Sequence, residues 1–581
     1  MYRQDLDVLK GIAIIAVVFF HMGFLRTGYL GVELFLVING FLIIPSLFKS
    51  ILNGSFNCLN FYEKRIIRLL PLIAIASIVC LLFGYFFMMP DHYENLAQSI
   101  IAGNFMSENI LSVLTTKNYW DVVNDYKPLM HLWYVGIIFQ FYIVIPVILY
   151  LGKVVSKVIR TDQCETMKWT LFAFTILSLV VYFAPEYMRG SRFYMLPSRF
   201  FEMGMVGFVA ISIKDTVAVR KSLKLFATLG LAFLFMLGGV YSKLDCTNEY
   251  IKEALLLSTV ILSVFVVLSK CDSKTLSNQL LGTIGKMSYS IFIWHQIVIA
   301  MYRYTIISHF GLFDVAILII LISVISILSY YLIEKKISIS HKTFAASIAL
   351  TAVCCIPSFY IYSKGGVLYD VPELDAYKEN AHRGMFGEYC DRVYKMDVPF
   401  DDTERIKVLV VGNSFARDFT NTILESKMKD SLNVTYAYNW DAKNIADRIK
   451  QSDYIFVHSL KSEIPDSILK MISTTTTLKG IGTKNFGECN GQVFCRRNSN
   501  DYFELTIPME AGTQETNMRM KDEWQDNYVD FIEIARTEGE NVRVFTPDHR
   551  FISQDCRHLT QAGAQWYATQ FDWAEIFSWN K

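Results

Sequence analysis

Residues 10–21 read KGIAIIAVVFFH. A cation opens the run, a glycine and nine apolar residues follow, and an imidazole closes it. On a helix rising 1.5 Å per residue, Lys10 and His21 stand roughly 16 Å apart, about half a bilayer core. Ionisable groups on a membrane helix are costly unless they face protein or a water-filled cavity, so both ends are candidates for function. A lysine snorkelling at one interface and a histidine at the other accounts for the same spacing without chemistry.

The rest of the chain supports the membrane setting. Of its 581 residues 53% are hydrophobic, and the mean hydropathy is +0.31, above what a soluble chain of this size averages. A net charge of +1 gives no argument for nucleic acid. Residues up to about 362 are dense in Leu, Ile, Val and Phe, and the remainder has ordinary globular polarity. The expectation is a polytopic all-α membrane domain, residues 1–362, a linker and extension, 363–405, and an outer domain, 406–581. At about 200 residues, the polar part is long enough to bury its own core. The first apolar run lacks a small-residue cleavage site and leads straight into a second, so it is expected to remain as a helix.

Apolar segments of spanning length lie near 6–24, 30–50, 68–89, 129–151, 168–184, 197–213, 223–241, 250–268, 283–307, 313–333 and 343–362, about eleven transmembrane helices. One set of loops carries Lys64, Arg65, Arg68; Lys153, Lys157, Arg160; Lys214, Arg220, Lys221, Lys224; Lys270, Lys274; and Lys335, Lys336, Lys342. The alternate loops hold only Arg26, Lys117, Lys127, Arg189, Arg192, Lys243 and Lys252. The excess of Lys and Arg marks the first set as cytoplasmic, with the N-terminus inside and the polar domain outside.

Other polar groups sit in or beside these spans. GVELFLVINGF holds Glu33 and Asn39, PLMHLWYVGIIFQF holds His131 and Gln140, and KMSYSIFIWHQ holds Tyr289, Trp294 and His295. SRFFEMG offers Arg199 and Glu202 as an i,i+3 ion pair. FYEKRIIRLLP places Arg65 and Arg68 one turn apart, a spacing that suits phosphate recognition and equally suits plain cytoplasmic anchoring. Any single histidine among these is more often a hydrogen-bonded packing residue than a catalyst.

As an ordered set, these pieces resemble the acyltransferase 3 family of integral membrane O-acyltransferases over about the first 335 residues. The resemblance rests on Lys10 and His21, G-V-E-x-F-x-V-x-N-G-F, F-Y-x-K-R-x-x-R-x-x-P, H-L-W with Q-F-Y-x-x-x-P, R-F-F-E, and S-Y-S-x-x-x-W-H. Members commonly carry Arg at Lys10, Asp at Glu33, Ser at Asn39, and one or two glutamates where Ile138 and Phe139 stand, so no catalytic role is carried onto that last position. The resemblance implies transfer of an acyl group, most simply acetyl, from cytosolic acetyl-CoA or a similar acyl-CoA to a glycan. His21 would handle the acyl group or act as base, and Lys10, Arg65 and Arg68 would meet the donor's phosphates. An imidazole with an ordinary pKa near 6.5 suits that work at neutral pH.

After the last span, SKGGVLYDVPELD reads as a linker and residues to about 405 as irregular. IKVLVVGNSFARDF is a buried strand, Ile406–Val411, then Gly-Asn-Ser and a helix. A helix near 441–451, the strand YIFVHSL, TLKGIGTKNFG, a long helix near 519–538, the strand NVRVFTP and a helix from about 560 follow, predicting a doubly wound α/β sheet. Ser414 would stand at the carboxyl edge of that sheet and at a helix N-terminus suited to an oxyanion; a plain Ser N-cap is the simpler reading. QDCRHLTQAGA places Asp555 three residues before His558, giving a histidine base with a carboxylate to orient it. Ser414, Asp555 and His558 in this order resemble the SGNH/GDSL hydrolase-like fold, a known fusion to the membrane family. Gly-Asn-Ser replaces Gly-Asp-Ser, the Gly-x-Asn-Asp block is not evident, and Asn485 is its substitute as oxyanion donor beside the backbone N–H of Ser414.

Of the 11 cysteines, Cys390, Cys489, Cys495 and Cys556 fall in the outer domain. An even number in an oxidising compartment suggests disulfides, with Cys489–Cys495 and Cys390–Cys556 the chosen pairing of three; a zinc site is poorly supported, and no metal is expected. The expected protein is thus a multi-pass protein of the bacterial cytoplasmic membrane with an extracytoplasmic SGNH-like domain. It would pass an acyl group through acyl-Ser414 to a surface glycan such as lipopolysaccharide O-antigen, capsule, exopolysaccharide or peptidoglycan. Its partners would be acyl-CoA, the glycan acceptor and membrane lipids. A membrane-anchored glycan esterase would use the same triad, but needs no such membrane half. A transporter would show an inverted repeat or paired broken helices, which hydropathy does not.

Overall fold

The structure is a computed structural model that describes residues 3–115, 124–184, 189–213, 230–231, 249–269 and 278–577. All but two residues of the expected span at 223–241 lie outside the described residues, as do Lys117, Lys214, Arg220, Lys221, Lys224, Lys243, Lys270, Lys274, Cys246 and Cys271. The chain divides into two compact units, one made of residues 1–84 and 95–360, the other of residues 85–94 and 361–581.

Between residues 4 and 363 the helices include α1 (Gln4–His21), α2 (Gly31–Leu52), α3 (Cys58–Phe87), α4 (Pro90–Asn104), α5 (Glu108–Thr115), α6 (Trp133–Ile159), α7 (Gln163–Tyr182), α8 (Leu196–Ser212), α9 (Glu249–Leu268), α10 (Gln279–Lys286), α11 (Ser288–Thr305), α12 (Leu312–Ser329) and α13 (His341–Ser363). Among the described residues seven helices are long and apolar enough to cross a membrane, carried by α2, α3, α6, α7, α9, α12 and α13. The other expected spans differ in ways the residues explain. α1 forms but carries Asp5, Asp7 and Lys10, α8 stops at 17 residues with Arg199 and Glu202 inside it, and the segment 283–307 is divided between α10 and α11 at Met287. α1 packs on α10 backbone to backbone: a Cβ on Gly11 would stand 2.3 Å from the Leu281 carbonyl oxygen, and one on Gly285 1.7 Å from that of Asp7. Only glycine permits that approach.

The second unit is built on a five-stranded parallel sheet, order β2-β1-β3-β4-β6, with β1 Ile406–Val411, β2 Leu432–Ala437, β3 Tyr454–Val457, β4 Thr477–Ile481 and β6 Tyr528–Val529. β1 lies inside the sheet and its last four residues are buried, as an unbroken Val/Leu run requires where helices cover both faces. The crossovers include α14 (Ser414–Glu425), α15 (Ile445–Gln451) and α16 (Thr513–Trp524), and α17 (Gln561–Gln570) closes the core on α14. Phe419, Phe456, Phe531 and Tyr567 fill that core.

Two expectations change here. The helix expected near 519–538 ends at Trp524, where Gln525 turns with φ of 49°, and Tyr528–Val529 then joins the sheet edge as β6. The NVRVFTP strand, β7 (Asn541–Arg543), pairs antiparallel with β5 (Thr506–Pro508) in a separate two-stranded sheet.

Candidate functional site

At its carboxyl end β1 stops at Val411 and the chain turns through Gly412 at φ 139°. A Cβ there would come within 3.2 Å of His458 Cβ and 3.1 Å of Ala416 Cβ, so the turn is reserved for glycine. Asn413 caps α14 by accepting from the Phe415 N–H at 3.0 Å, which leaves the Ser414 hydroxyl free of that duty. Tyr436 on β2 braces the turn, its hydroxyl donating to the Gly412 carbonyl at 2.7 Å.

Ser414 Oγ lies 2.9 Å from His558 Nε2, and His558 Nδ1 lies 2.5 Å from Asp555 Oδ2. With Nδ1–H given to the carboxylate, Nε2 keeps its lone pair and accepts the serine O–H. Asp555 also accepts from the backbone N–H groups of His558, at 2.8 Å, and Arg557, at 3.0 Å. Burial pushes its carboxyl up, but the His558 charge and hydrogen bonds outweigh that and hold it down at about 2. Ser414 and His558, 144 positions apart in the chain, thus form one hydrogen-bonded line with Asp555.

A buried ionic group ties the pieces together. Asp418, one turn beyond Ser414, accepts from the Leu559 N–H at 2.9 Å, from Arg417 at 3.0 Å and lies 3.0 Å from Lys484 Nζ. Lys484 Nζ also sits 3.8 Å from the centre of the Phe415 ring, whose other neighbour is His458, stacked at 4.6 Å and 11°. His458 Nδ1 meets the Ile481 carbonyl at 2.9 Å, and burial pulls its imidazole down to about 4.

Two expectations about this unit are corrected. Asn485 is occupied elsewhere: its Oδ1 accepts from Gly487 N at 2.8 Å and Glu510 N at 3.0 Å, and its Nδ2 donates to Glu510 at 3.3 Å. The proposed disulfides Cys489–Cys495 and Cys390–Cys556 are absent. Cys390 Sγ turns to the Leu559 carbonyl at 3.7 Å and Cys495 Sγ to that of Phe87 at 3.4 Å. Burial pushes the thiols of Cys390, Cys489 and Cys495 up to about 12.

In the helical unit, Lys10 Nζ lies 3.5 Å from Asp7 and within electrostatic range of Arg68, which also faces Tyr142, Tyr289 and Glu334. Arg65 lies over Phe61, 3.7 Å from its ring centre, donates to the Phe61 carbonyl and stands 5.3 Å from the Tyr142 ring centre. The expected Arg199–Glu202 pair is present at 2.8 Å, and Glu33 adds a bidentate contact at 2.9 and 3.0 Å, making a wholly buried group of one cation and two carboxyls. Asn39 bonds the Tyr134 hydroxyl at 2.8 Å. His21 is joined by His295, ring centres 5.2 Å apart, and His295 by His131 at 5.3 Å.

Sequence reasoning missed Asp418, Lys484 and His458, and missed Glu33 as the partner of Arg199. The one signal for Lys484 was its place in GTKNFG beside the residue chosen instead. A charged pair at Arg417-Asp418 on an otherwise buried helix face could have marked Asp418.

A model of the acyltransferase 3 domain matches residues 3–335. The O-acetyltransferase OatA of Staphylococcus aureus strain MRSA252 is 26% identical over 388 residues, covering 62% of this chain and 63% of its own length. OatA of strain NCTC 8325 gives the same identity and coverage. The chain thus spans less than two thirds of the length of these relatives. No solved structure matches.

Proposed function

Since the chain belongs to the acyltransferase 3 family, of the multi-pass membrane kind, we propose that it is an O-acyltransferase, most simply an O-acetyltransferase, that moves an acyl group from cytosolic acyl-CoA to a hydroxyl of a cell-surface glycan. The observation that carries this reading is the Ser414–His558–Asp555 line in a chain whose helical part matches the acyltransferase model.

In this reading Lys10, Arg65 and Arg68 hold the phosphates of the donor at the cytoplasmic side, where guanidinium and ammonium groups suit them. His21 serves the transfer out of the thioester. The orientation follows the loop charges, with the N-terminus inside and the second unit, an SGNH-like domain, outside the cytoplasmic membrane. There the Ser414 O–H proton passes to His558 Nε2 as Oγ attacks the incoming acyl carbonyl, and His558 returns that proton to the departing group. A glycan hydroxyl then attacks acyl-Ser414, giving its proton to His558, and the breaking ester bond restores the Ser414 hydroxyl. The Ser414 backbone N–H at the start of α14 supports the oxyanion. Glycan attack must outrun water, so the acceptor has to occupy the site while hydration is limited.

The test uses the full chain in vesicles of defined orientation with acyl-labelled CoA and glycan. Donor supplied on the cytoplasmic side should label the glycan and donor on the other side should not. Ser414→Ala and His21→Ala should each abolish labelling. Labelled glycan in full yield from His21→Ala would refute the assignment. Given an activated acyl ester, release of free acid alone, with glycan present, would favour an esterase.

A further inference from the structure

The carboxyl edge of the parallel sheet carries a row of residues beside Ser414 that the mechanism above does not use. Val411 of β1 pairs with Ala437 of β2 on one side and with Val457 of β3 on the other. The ladder runs one step further: Gly412 N donates to the Ala437 carbonyl at 3.0 Å, and His458 N to that of Val411 at 3.1 Å. Tyr438, Gly412 and His458 are therefore the next residues across the edge. Side chains alternate along a strand, so this row lies on the same face as Tyr436, Val410 and Phe456, which join α14 in the core. Ligands of such sheets bind at this edge.

The centre of the row is a glycine and each flank carries a ring. On the β3 side, His458 stacks on Phe415, the residue after the nucleophile, at 4.6 Å and 11°. Its Nδ1 meets the Ile481 carbonyl at 2.9 Å, and a carbonyl only accepts, so Nδ1 carries the proton and Nε2 keeps its lone pair. Burial holds this imidazole down at about 4, which keeps it neutral. On the β2 side, Tyr438 is 60% exposed and lies within electrostatic range of the Tyr436 and Tyr394 hydroxyls. Tyr436 donates to the Gly412 carbonyl, and Tyr394 accepts from Arg417 of α14 at 3.3 Å, so Tyr438 belongs to the surroundings of the Ser414 turn. Two strand spacings, roughly 10 Å, separate the backbones on either side of Gly412, enough for one pyranose ring.

We propose that Tyr438 and His458 form the subsite for the acceptor sugar: the exposed Tyr438 ring stacks on the C–H face of the sugar, and His458 Nε2 accepts one of its hydroxyls, while another hydroxyl reaches acyl-Ser414 past Gly412. This rests on the acyl-transfer reading given above. A sugar ring offers an apolar C–H face and a rim of hydroxyls, and the two flanks match those two surfaces. Water can use the lone pair but gains nothing from the ring. The pair thus gives the glycan its advantage over water at the acyl-enzyme, which is what separates transfer from hydrolysis at this serine.

The full-length protein in detergent is given p-nitrophenyl acetate together with polysaccharide extracted from the cells that carry it, stripped of esters by mild base. Release of p-nitrophenol reads formation of acyl-Ser414, and the ratio of acetylated polysaccharide to free acetate reads which nucleophile takes the acyl group. Tyr438→Ala should lower that ratio, as should His458→Phe, which keeps a ring on Phe415 but removes the lone pair. Each loss should be roughly 3- to 10-fold, the worth of one stacking or hydrogen-bonding contact, with p-nitrophenol release changed far less. Tyr438→Phe keeps the stacking face and should hold the parent ratio. The proposal is overturned if the ratio is unchanged in Tyr438→Ala or in His458→Phe, or if it falls as far in Tyr438→Phe as in Tyr438→Ala. It is overturned too if p-nitrophenol release and transfer fall together, which marks a structural role. A parent protein that makes only free acetate would instead overturn the transfer reading on which this one rests.

Discussion

Replacing Asp418 by Asn tests whether the catalytic line is held by one buried carboxylate. Arg417 and Asp418 are wholly buried and Lys484 is 2% exposed, so the group holds two cations and one anion away from water. Asn keeps the size and can still accept from Leu559, but it leaves two cations facing each other without the carboxylate that now lies 3.0 Å from each. Removing one partner of a buried pair costs about 3–5 kcal/mol. Lys484→Met should behave differently. It leaves a balanced Arg417–Asp418 pair and fills the lysine stem with apolar volume, so its cost should stay within about 1 kcal/mol. The readout is amide hydrogen exchange in the full chain over the segment that carries Asp555, His558 and Leu559. At about 1.4 kcal/mol per factor of ten, Asp418→Asn should speed exchange at Leu559 by roughly 150- to 4,000-fold, and Lys484→Met by less than about tenfold. Equal exchange in the two variants, or an Asp418→Asn protein within threefold of the parent, would refute the idea that Asp418 fastens the His558 loop to α14.

Asp555→Asn should leave the fold intact yet lower acyl transfer about 10³- to 10⁴-fold, because the ring loses the acceptor that selects its tautomer; turnover with an activated acyl ester measures it. The Asp555 carboxyl is held at about 2, below its ordinary value of 3.8, so the stabilisation is present above the ordinary value and is lost as pH falls from there toward 2. Worth roughly 2 kcal/mol at 1.36 kcal/mol per pH unit, it should appear as an acid-side loss of stability that Asp555→Asn lacks, read by acid denaturation. Arg199→Met should be among the most damaging single changes in the helical unit, by about 3–5 kcal/mol, since it strands Glu33 and Glu202 together; yield of folded protein in detergent reports it. Under denaturing, non-reducing conditions, Cys390, Cys489, Cys495 and Cys556 should all take up a thiol-specific mass label.

How much of this could be read from the residues alone depends on sequence separation. The strand Ile406–Val411 and the serine after it were legible because burial on both faces leaves an unbroken apolar run and the turn demands Gly412. Asp555 and His558 were legible because an acid and a base three apart before a helix form one local motif. Arg199 and Glu202 were legible for the same reason, at helical spacing. Glu33 was not, because it reaches Arg199 across 166 positions, and no local pattern records which of several membrane-buried acids a distant arginine meets. Asp418 escaped likewise: a carboxylate on an amphipathic helix looks solvated until Leu559, 141 residues on, is seen to point its N–H at it. The disulfide expectation failed for a related reason, since counting cysteines tells nothing of where each Sγ turns.

Lys10 and His21 illustrate the limit most directly. Their spacing along one helix was compatible with mere anchoring, and only neighbours from other helices distinguish them. Lys10 gains Arg68 from α3 within electrostatic range, which concentrates positive charge where an anionic donor would need it. His21 gains His295 from α11, whose tautomer is set by its own helix through the Phe292 carbonyl. A histidine that only anchored a helix at an interface would be served by water or lipid headgroups and would need no buried imidazole beside it. Both ring nitrogens of His131 and Nε2 of His295 lack a hydrogen-bond partner, a burial that is costly and gives an anchor no benefit.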